Sequence, residues 1–348
     1  MLKVSTQAYS FPVREIRSGW YSDKYFIRSR AILEKEKLRP EVVMQVFCKK
    51  EAVLCGIEEA TACLKVGSSS PGRFRISALK EATLVRPWES VMHITGDYAS
   101  FIHLETLYLG ILARRTSIAT AVRRVVQACR GKPVLFFAAR FDYFMNQPGD
   151  GYAAKIGGAS GVSTEANTAW LKKEDAFGTI PHGLIAAFGG NTVKASLAFD
   201  RRMPKSIRRI VLVDFENDCV KTSLEVSRAL GKRLWGVRLD TSREFRDRSV
   251  KGRGPESRGV SPELVRNVRK ALDREGFRWV KIIVSGGFDA ERITEFVKQR
   301  VPFDAAGIGS AFLHERIEFT ADIVKVNGKP CSKAGRRFHS NPRLKRIG

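Results

Sequence analysis

The segment VKIIVSGGFDAERITEFVKQRVPFDAAGIGSAF, from Val280 to Phe312, decides the fold. Two short apolar runs in it end in glycine. Ile282-Ile283-Val284 leads into Ser285-Gly286-Gly287, and Phe303-Asp304-Ala305-Ala306 leads into Gly307-Ile308-Gly309-Ser310. The stretch from Ala290 to Arg300 reads as a helix between them. Continuous apolar runs joined by a helical crossover mean parallel strands buried on both faces. Glycine at the ends of two successive strands suits an anion. It lets the backbone approach the ligand and take left-handed conformations, and the helix that follows adds unpaired N–H groups.

The same alternation extends upstream. KPVLFFAAR, RRIVLVDF and RLWGVRLD read as strands, and YAAKIGG, CVKTSLEVSRALG and SPELVRNVRKALDREG as helices. The fold class is therefore α/β, with an irregular (α/β) barrel over residues 101–317. Before it, RPEVVMQVFCKKEAVLCG suggests two strands joined at a Lys-Lys turn, and FRISALKEATLVRPWESVMHITGDY suggests further strands. ASFIHLETLYLGILARRTSIATAVRRVVQACRG has the apolar spacing of one long helix or a helix pair, stopped by Gly131 and Pro133. FTADIVKVNGKP near the C-terminus reads as β again. It is expected to return to the N-terminal part, so that residues 1–100 with 318–348 form an α/β sandwich domain.

In such barrels the loops after the last two strands often hold a phosphate. The glycine turns Gly286-Gly287 and Gly307/Gly309 are read as one phosphate cradle. Arg140, Asp214, Arg238 and Asp240 fall at the C-terminal ends of other strands, where a barrel gathers its active site. Arginine and glycine for anions, with carboxylates for ribose hydroxyls or Mg²⁺, describe a site for a phosphorylated sugar. His182, on the Gly-Thr-x-Pro-His turn after Thr179, is a candidate nucleophile toward phosphate. The basic, glycine-containing stretch from Thr241 to Ser261 is expected to be a mobile lid.

Composition sets outer bounds. The chain has 348 residues, 43% of them hydrophobic, enough for a large core. No run of about 18 apolar residues occurs, so no membrane span is expected. The first residues lack the apolar centre of a secretory signal, and the expected location is cytoplasmic. The six cysteines are scattered with no Cys-x-x-Cys pair, which points to free thiols rather than zinc. A formal charge of +25 attracts polyanions. There is no zinc-finger spacing or aromatic-rich RNA-binding signature, so nucleic-acid binding is expected to be incidental at most.

Ten segments, in order, resemble nicotinate phosphoribosyltransferases in the form common in archaea, a branch of the type II phosphoribosyltransferases. They are SGWYSDKYF, LETLYLGILARRTSIAT, FAAR, IGGASGVST, GTIPHGLI, LVDFENDC, GVRLDT, VSGGFD, FDAAGIGS and VNGKPCSKAGR. The resemblance implies attack of nicotinate on 5-phosphoribosyl 1-diphosphate with Mg²⁺, giving nicotinate mononucleotide and diphosphate in NAD biosynthesis. It also implies coupled ATP hydrolysis through a phosphorylated histidine, matched by His182. Phe137 matches the ring that stacks on nicotinate, and Arg140 the arginine beside it. Tyr25 matches an aromatic that comes from the partner subunit, which implies a homodimer with shared sites. Asp214 and Asp240 match the ribose and Mg²⁺–diphosphate carboxylates, Asp240 being the metal ligand. Thr179, Arg238 and Ser285 complete the substrate-binding set with Gly286, Gly287, Gly307 and Gly309. Two segments depart from the pattern: FDYFMNQPG follows Arg140 where many relatives continue toward a His-Pro pair, and the run here is TSREFRD where many carry Pro-Ser after the Asp-Thr of RLDT. The rivals are quinolinate phosphoribosyltransferase, which should carry more cations near the first barrel strand, and a non-catalytic phosphate-binding barrel.

Overall fold

The computed structural model describes residues 9–171 and 176–347. The first strands are β1 (Glu41–Cys48), β2 (Ala52–Val53), β3 (Phe74–Ala78), β4 (Leu84–Val85) and β5 (Ser90–Asp97). A parallel set follows: β6 (Val134–Phe136), β7 (Gly161–Val162), β8 (Arg209–Leu212), β9 (Leu234–Leu239), β10 (Lys281–Val284) and β11 (Ala305–Ile308). The chain closes with β12 (Phe319–Val326), β13 (Lys329–Pro330) and β14 (Lys345–Ile347).

Two six-stranded sheets result. One has the order β13-β12-β1-β5-β3-β14, so the C-terminal strands flank the N-terminal ones. Its pairings are antiparallel. The basic tail is thus part of a sheet rather than a free arm. Arg336 pairs with Asp322 at 2.7 Å and Arg343 with Glu89 at 2.7 Å. β1 and β2 do not form a hairpin, because β2 pairs with β4 in a separate ribbon.

The other sheet is parallel, in the order β7-β6-β11-β10-β9-β8. It curls, and one segment spans its two edges. Phe177 N–H donates to the Val162 carbonyl at 2.7 Å, and Ile180 N–H to the Ile210 carbonyl at 3.0 Å. The irregularity of the barrel lies here, where the wall beside Thr179 is extended chain with a single bridge from Ile180 to Val211.

The helices are α1 (Val13–Ser18), α2 (Lys24–Lys35), α3 (Ile57–Gly67), α4 (Glu105–Ala128), α5 (Gln147–Gly157), α6 (Glu165–Thr168), α7 (His182–Ala187), α8 (Thr192–Arg202), α9 (Cys219–Leu230), α10 (Pro262–Arg274) and α11 (Ala290–Lys298). α4 is one continuous helix that serves two cores. Tyr108 and Leu112 pack under the antiparallel sheet with α3, while Ile118, Val122 and Val125 belong to the core around the parallel sheet. At its centre the buried Arg115 guanidinium bonds Glu59 at 2.7 Å and Asp150 at 3.0 Å, which joins α3 to α5. Further along, the Thr116 and Thr120 hydroxyls accept from the amides of Cys55 and Val53. No helix among the described residues is long and apolar enough to cross a membrane.

Candidate active site

The C-terminal ends of the parallel strands surround a cavity of about 380 Å³. Each strand delivers its side chains there because parallel strands of one sheet all end on the same side. β6 runs into Phe137 and Arg140, β9 into Arg238 and Asp240, and β10 into Ser285, Gly286 and Gly287. β11 brings Gly307 and Gly309, and the bridging segment adds Thr179.

Arg238 ties these parts together. Its Nε donates to the Ser285 hydroxyl at 2.8 Å and its Nη1 to the Thr179 hydroxyl at 3.3 Å. Its Nη2 lies 3.2 Å from Asp240 Oδ2. The guanidinium also sits 4.9 Å from the centre of the Phe137 ring. The Ser285 hydroxyl in turn lies 2.7 Å from Asp240 Oδ1. One cation is thereby held against an aromatic face, a carboxylate and the glycine turn.

The turn after β10 is built to present N–H groups. Gly286 and Gly287 have φ of +85° and +71°, left-handed values that disfavour other residues. Their carbonyls are engaged by arginines. Arg292 donates to the Gly286 carbonyl at 3.2 Å, and Arg243 grips the Gly287 carbonyl. Among the described residues the N–H groups of Gly286, Gly287 and Gly309 have no partner. Successive left-handed residues with free N–H groups form an anion-binding concavity. Burial, and Arg243 close by, push the Arg292 guanidinium down to about 10; these two arginines hold the turn from outside the cavity lining.

Two features of the cradle differ from the sequence reading. Gly307 and Gly309 do not take left-handed φ. A Cβ at Gly307 would lie 2.4 Å from Phe137 Cε2, and one at Gly309 would lie 2.4 Å from Phe141 Cε2. Ring packing, not backbone conformation, demands glycine at these positions. In addition, the N-terminus of α11 is already capped, since the Asp289 side chain accepts from Arg292 N–H at 2.8 Å. An anion here would meet the glycine turn rather than that helix end.

His182 and Asp214 stand beside the cavity without lining it. His182 begins α7, and Asp214 follows β8 by two residues. His182 Nε2 is 2.9 Å from Asp214 Oδ1. That bond pushes the imidazole above its ordinary pKa; burial and Arg238 oppose it, while Asp240 adds to it. Nδ1 carries no partner among the described residues and is the nitrogen free to meet a ligand. Tyr25 is 60% exposed on α2, packs on Phe26 at 4.2 Å, and does not line this cavity.

Sequence reasoning singled out neither Phe177 nor Phe141. Phe177 stacks on Phe137 with ring centres 6.2 Å apart. Phe141 lies under Arg140 at 5.1 Å. Both sit next to chosen residues, but nothing local marks an exposed phenylalanine as cavity wall. The stretch from Thr241 to Ser261 is anchored at several points. Asp247 is buried and accepts from Cys219 N–H at 2.8 Å, and Thr241, Val250, Ser257 and Val260 are buried too. These anchors explain why its basic, glycine-containing composition nevertheless packs.

Residues 23–116 match the family described as quinolinate phosphoribosyl transferase, N-terminal domain. A solved nicotinate-nucleotide pyrophosphorylase from Pyrococcus furiosus is 35% identical, with 96% of this chain and 84% of that chain covered and a TM-score of 0.83. The chain belongs to the type II phosphoribosyltransferase family. Among curated members, nicotinate phosphoribosyltransferase pncB1 of Mycobacterium tuberculosis is 28% identical over 274 residues, 75% of this chain and 56% of the relative. Its paralogue pncB2 is 29% identical over 242 residues, 67% of this chain and 47% of the relative. The chain thus spans about half the length of the curated relatives it matches. The human nicotinic acid phosphoribosyltransferase shares the family fold at 17% identity, with a TM-score of 0.69 over 91% of this chain and 77% of that one.

Proposed function

We infer that this protein transfers the phosphoribosyl group of 5-phosphoribosyl 1-diphosphate to nicotinate. The observation that carries the reading is the position of Arg238, against the Phe137 face, Asp240 and the glycine turn at once. The pyridine ring stacks on Phe137, and Arg140 or Arg238 faces its carboxylate. The 5′-phosphate meets the free N–H groups of Gly286 and Gly287. The transition state carries positive charge at the ribose carbon and growing negative charge on diphosphate. Fixed cations and dipoles that do not reorganise stabilise it. The nicotinate nitrogen is itself the nucleophile, so no general base is required.

The cavity suits a monocarboxylate. Among the described residues its charged lining consists of Arg140, Arg238 and Asp240. A dicarboxylate would need a further cation, since Arg238 is already opposed by Asp240. Quinolinate remains the second reading, because the N-terminal match bears that name.

Mg²⁺ fits as a companion of the diphosphate. Among the described residues no group of three or more His, Cys, Asp or Glu side chains could cage a metal. One partly exposed carboxylate, Asp240, is what a magnesium ion held mainly by substrate phosphates needs. The ion would neutralise charge on the leaving group. Asp240 would hold it, and Ser285 and Arg238 keep that carboxylate in place.

ATP coupling belongs to the His182–Asp214 pair. Asp214 fixes the ring through Nε2 and stabilises a positive imidazole, while Nδ1 is left to accept a phosphoryl group. Tyr25 and its exposed neighbours Trp20 and Tyr21 would face the site of a second copy in a homodimer.

The test incubates the protein with 5-phosphoribosyl 1-diphosphate, Mg²⁺ and, separately, nicotinate, nicotinamide or quinolinate, with and without ATP. Chromatography reads the nucleotide formed. Nicotinate mononucleotide from nicotinate, accelerated by ATP, is the expected product. Release of CO₂ from quinolinate, with nicotinate inert, would reverse the choice of substrate.

A further inference from the structure

The opposite end of the barrel holds a second, larger cavity of about 760 Å³. It opens at the N-terminal ends of β8, β9 and β10, at Arg209, Leu234 and Lys281. From there to the active-site mouth β9 runs six residues, about 20 Å. Two indoles line the cavity, Trp235 and Trp279. Four cations, Arg201, Lys205, Arg208 and Lys232, surround them and are exposed. None of these four forms an ion pair with a carboxylate among the described residues. The lining carboxylate, Asp200, is already engaged by Arg209 at 2.8 Å and by Arg233.

The backbone presents Trp235 deliberately. Arg209 pairs with Leu234 and Ile210 with Gly236, so Trp235 is an extra residue in its strand. A bulge of this kind re-aims a side chain. The neighbour Gly236 adds no side chain of its own, since a Cβ there would lie 2.8 Å from the Lys281 carbonyl. The Trp279 indole N–H is buried without a hydrogen-bond partner. Its ring is covered by Lys232 at 3.5 Å, and Trp235 by Arg208 at 4.9 Å. Exposed cation–π contacts are weak, and a stacked base with its phosphates can replace them.

We propose that this cavity binds a nucleoside polyphosphate, the base against Trp235 and Trp279 and the phosphates among the four unpaired cations. The volume lies within the usual range for a small-molecule pocket, which favours a mononucleotide over a nucleic-acid strand. The indoles favour a base-bearing anion over a bare polyanion. The site goes beyond the transfer reaction and does not depend on it. It does abut it, because Trp235 packs on the barrel-interior cluster of Leu135, Ile210, Ile283 and Ala305 that also seats Phe137 and Phe177.

The experiment is calorimetric titration of the full chain with ATP, and separately with inorganic tripolyphosphate and a single-stranded oligoribonucleotide. The wild type is compared with Arg208→Glu/Lys232→Glu, with Arg201→Ala/Lys205→Ala and with Trp279→Ala. Any ATP bound at the other mouth contributes equally to all of them, so differences isolate this cavity. All five substituted positions lie away from the first site, and the four cations are exposed, so the cation variants should fold. Charge reversal should lower ATP affinity here at least tenfold, and the alanine pair should lower it severalfold. Trp279→Ala should weaken ATP while leaving tripolyphosphate within about twofold. Superimposable ATP titrations for wild type and both cation variants would overturn the proposal. So would tripolyphosphate binding the wild type as tightly as ATP does, or oligoribonucleotide binding where ATP does not.

Discussion

Gly307→Ala separates two explanations of one glycine. If Gly307 serves the phosphate, the change should damage ribose 5-phosphate binding. If it seats the Phe137 ring, the change should damage nicotinate. The new Cβ would lie 2.4 Å from Phe137 Cε2 and 2.6 Å from Cδ2. Ordinary carbon contacts are about 3.5–4.0 Å, so the ring must retreat by roughly 1 Å. It cannot retreat freely, because Phe177 stacks on it and Arg238 covers it. Overpacking of this size costs about 1–3 kcal/mol of stability. Loss of an aligned stack removes about 0.5–1.5 kcal/mol, and a 1 Å displacement near the reacting atoms can cost about 100-fold. The kcat/KM for nicotinate should therefore fall about 10- to 100-fold. Affinity for ribose 5-phosphate should stay within about twofold. The assay is steady-state nucleotide formation with each substrate varied, plus calorimetric titration with ribose 5-phosphate after circular dichroism confirms the fold. Unchanged nicotinate kinetics with lost ribose 5-phosphate binding would refute the ring-seat argument and restore the phosphate role.

Three further outcomes are expected. His182→Ala should abolish ATP hydrolysis coupled to turnover while slow ATP-independent transfer survives, read by phosphate release against nucleotide formed; normal coupling would remove His182 from the reaction. Asp214→Asn takes away the bond that raises the imidazole pKa. The raised group reaches its neutral, nucleophilic form only at higher pH, so the acidic limb of the pH profile for coupling should move to lower pH in the variant; a fixed limb would mean that another group titrates. Arg115→Leu leaves Glu59 buried without its cation, while Asp150 keeps Arg114 at 2.6 Å, and should lower stability by roughly 3 kcal/mol in chemical denaturation. A loss under about 1 kcal/mol would mean that the network is dispensable.

Much of the site is written along the chain, because strand ends are local features. The runs IVLV, GVRL and IIV end at Asp214, at Asp240 and at Ser285-Gly286-Gly287, with Arg238 one residue short of its strand's end, and that alone puts Asp214, Arg238, Asp240 and Gly286 at one end of a parallel sheet. The left-handed turn at Gly286-Gly287 is legible for the same reason, since backbone conformation is a property of the residue. Phe319–Val326 is legible as a strand from its β pattern, whereas its place beside β1 is settled by pairing across the fold. Other features have no local signal. α8 was not foreseen, and its start rests on the Asn191 side chain accepting from Lys194 N–H.

The sequence by itself determined the α/β class, the alternation of the main parallel strands with helices, and which residues stand at strand ends. The tertiary structure alone decided which of them meet. His182 and Asp214 are 32 residues apart and touch because the segment at Ile180 pairs with β8. Gly307 is glycine because the Phe137 ring, just after β6, the neighbouring strand in space though distant in sequence, lies against it. The tryptophans of the second cavity come from β9 and from just before β10, and neighbour each other only through sheet pairing. Conformational preference acts over a few residues and can be read in a short window. Sheet closure is settled by packing across the whole barrel, and no window along the chain contains it.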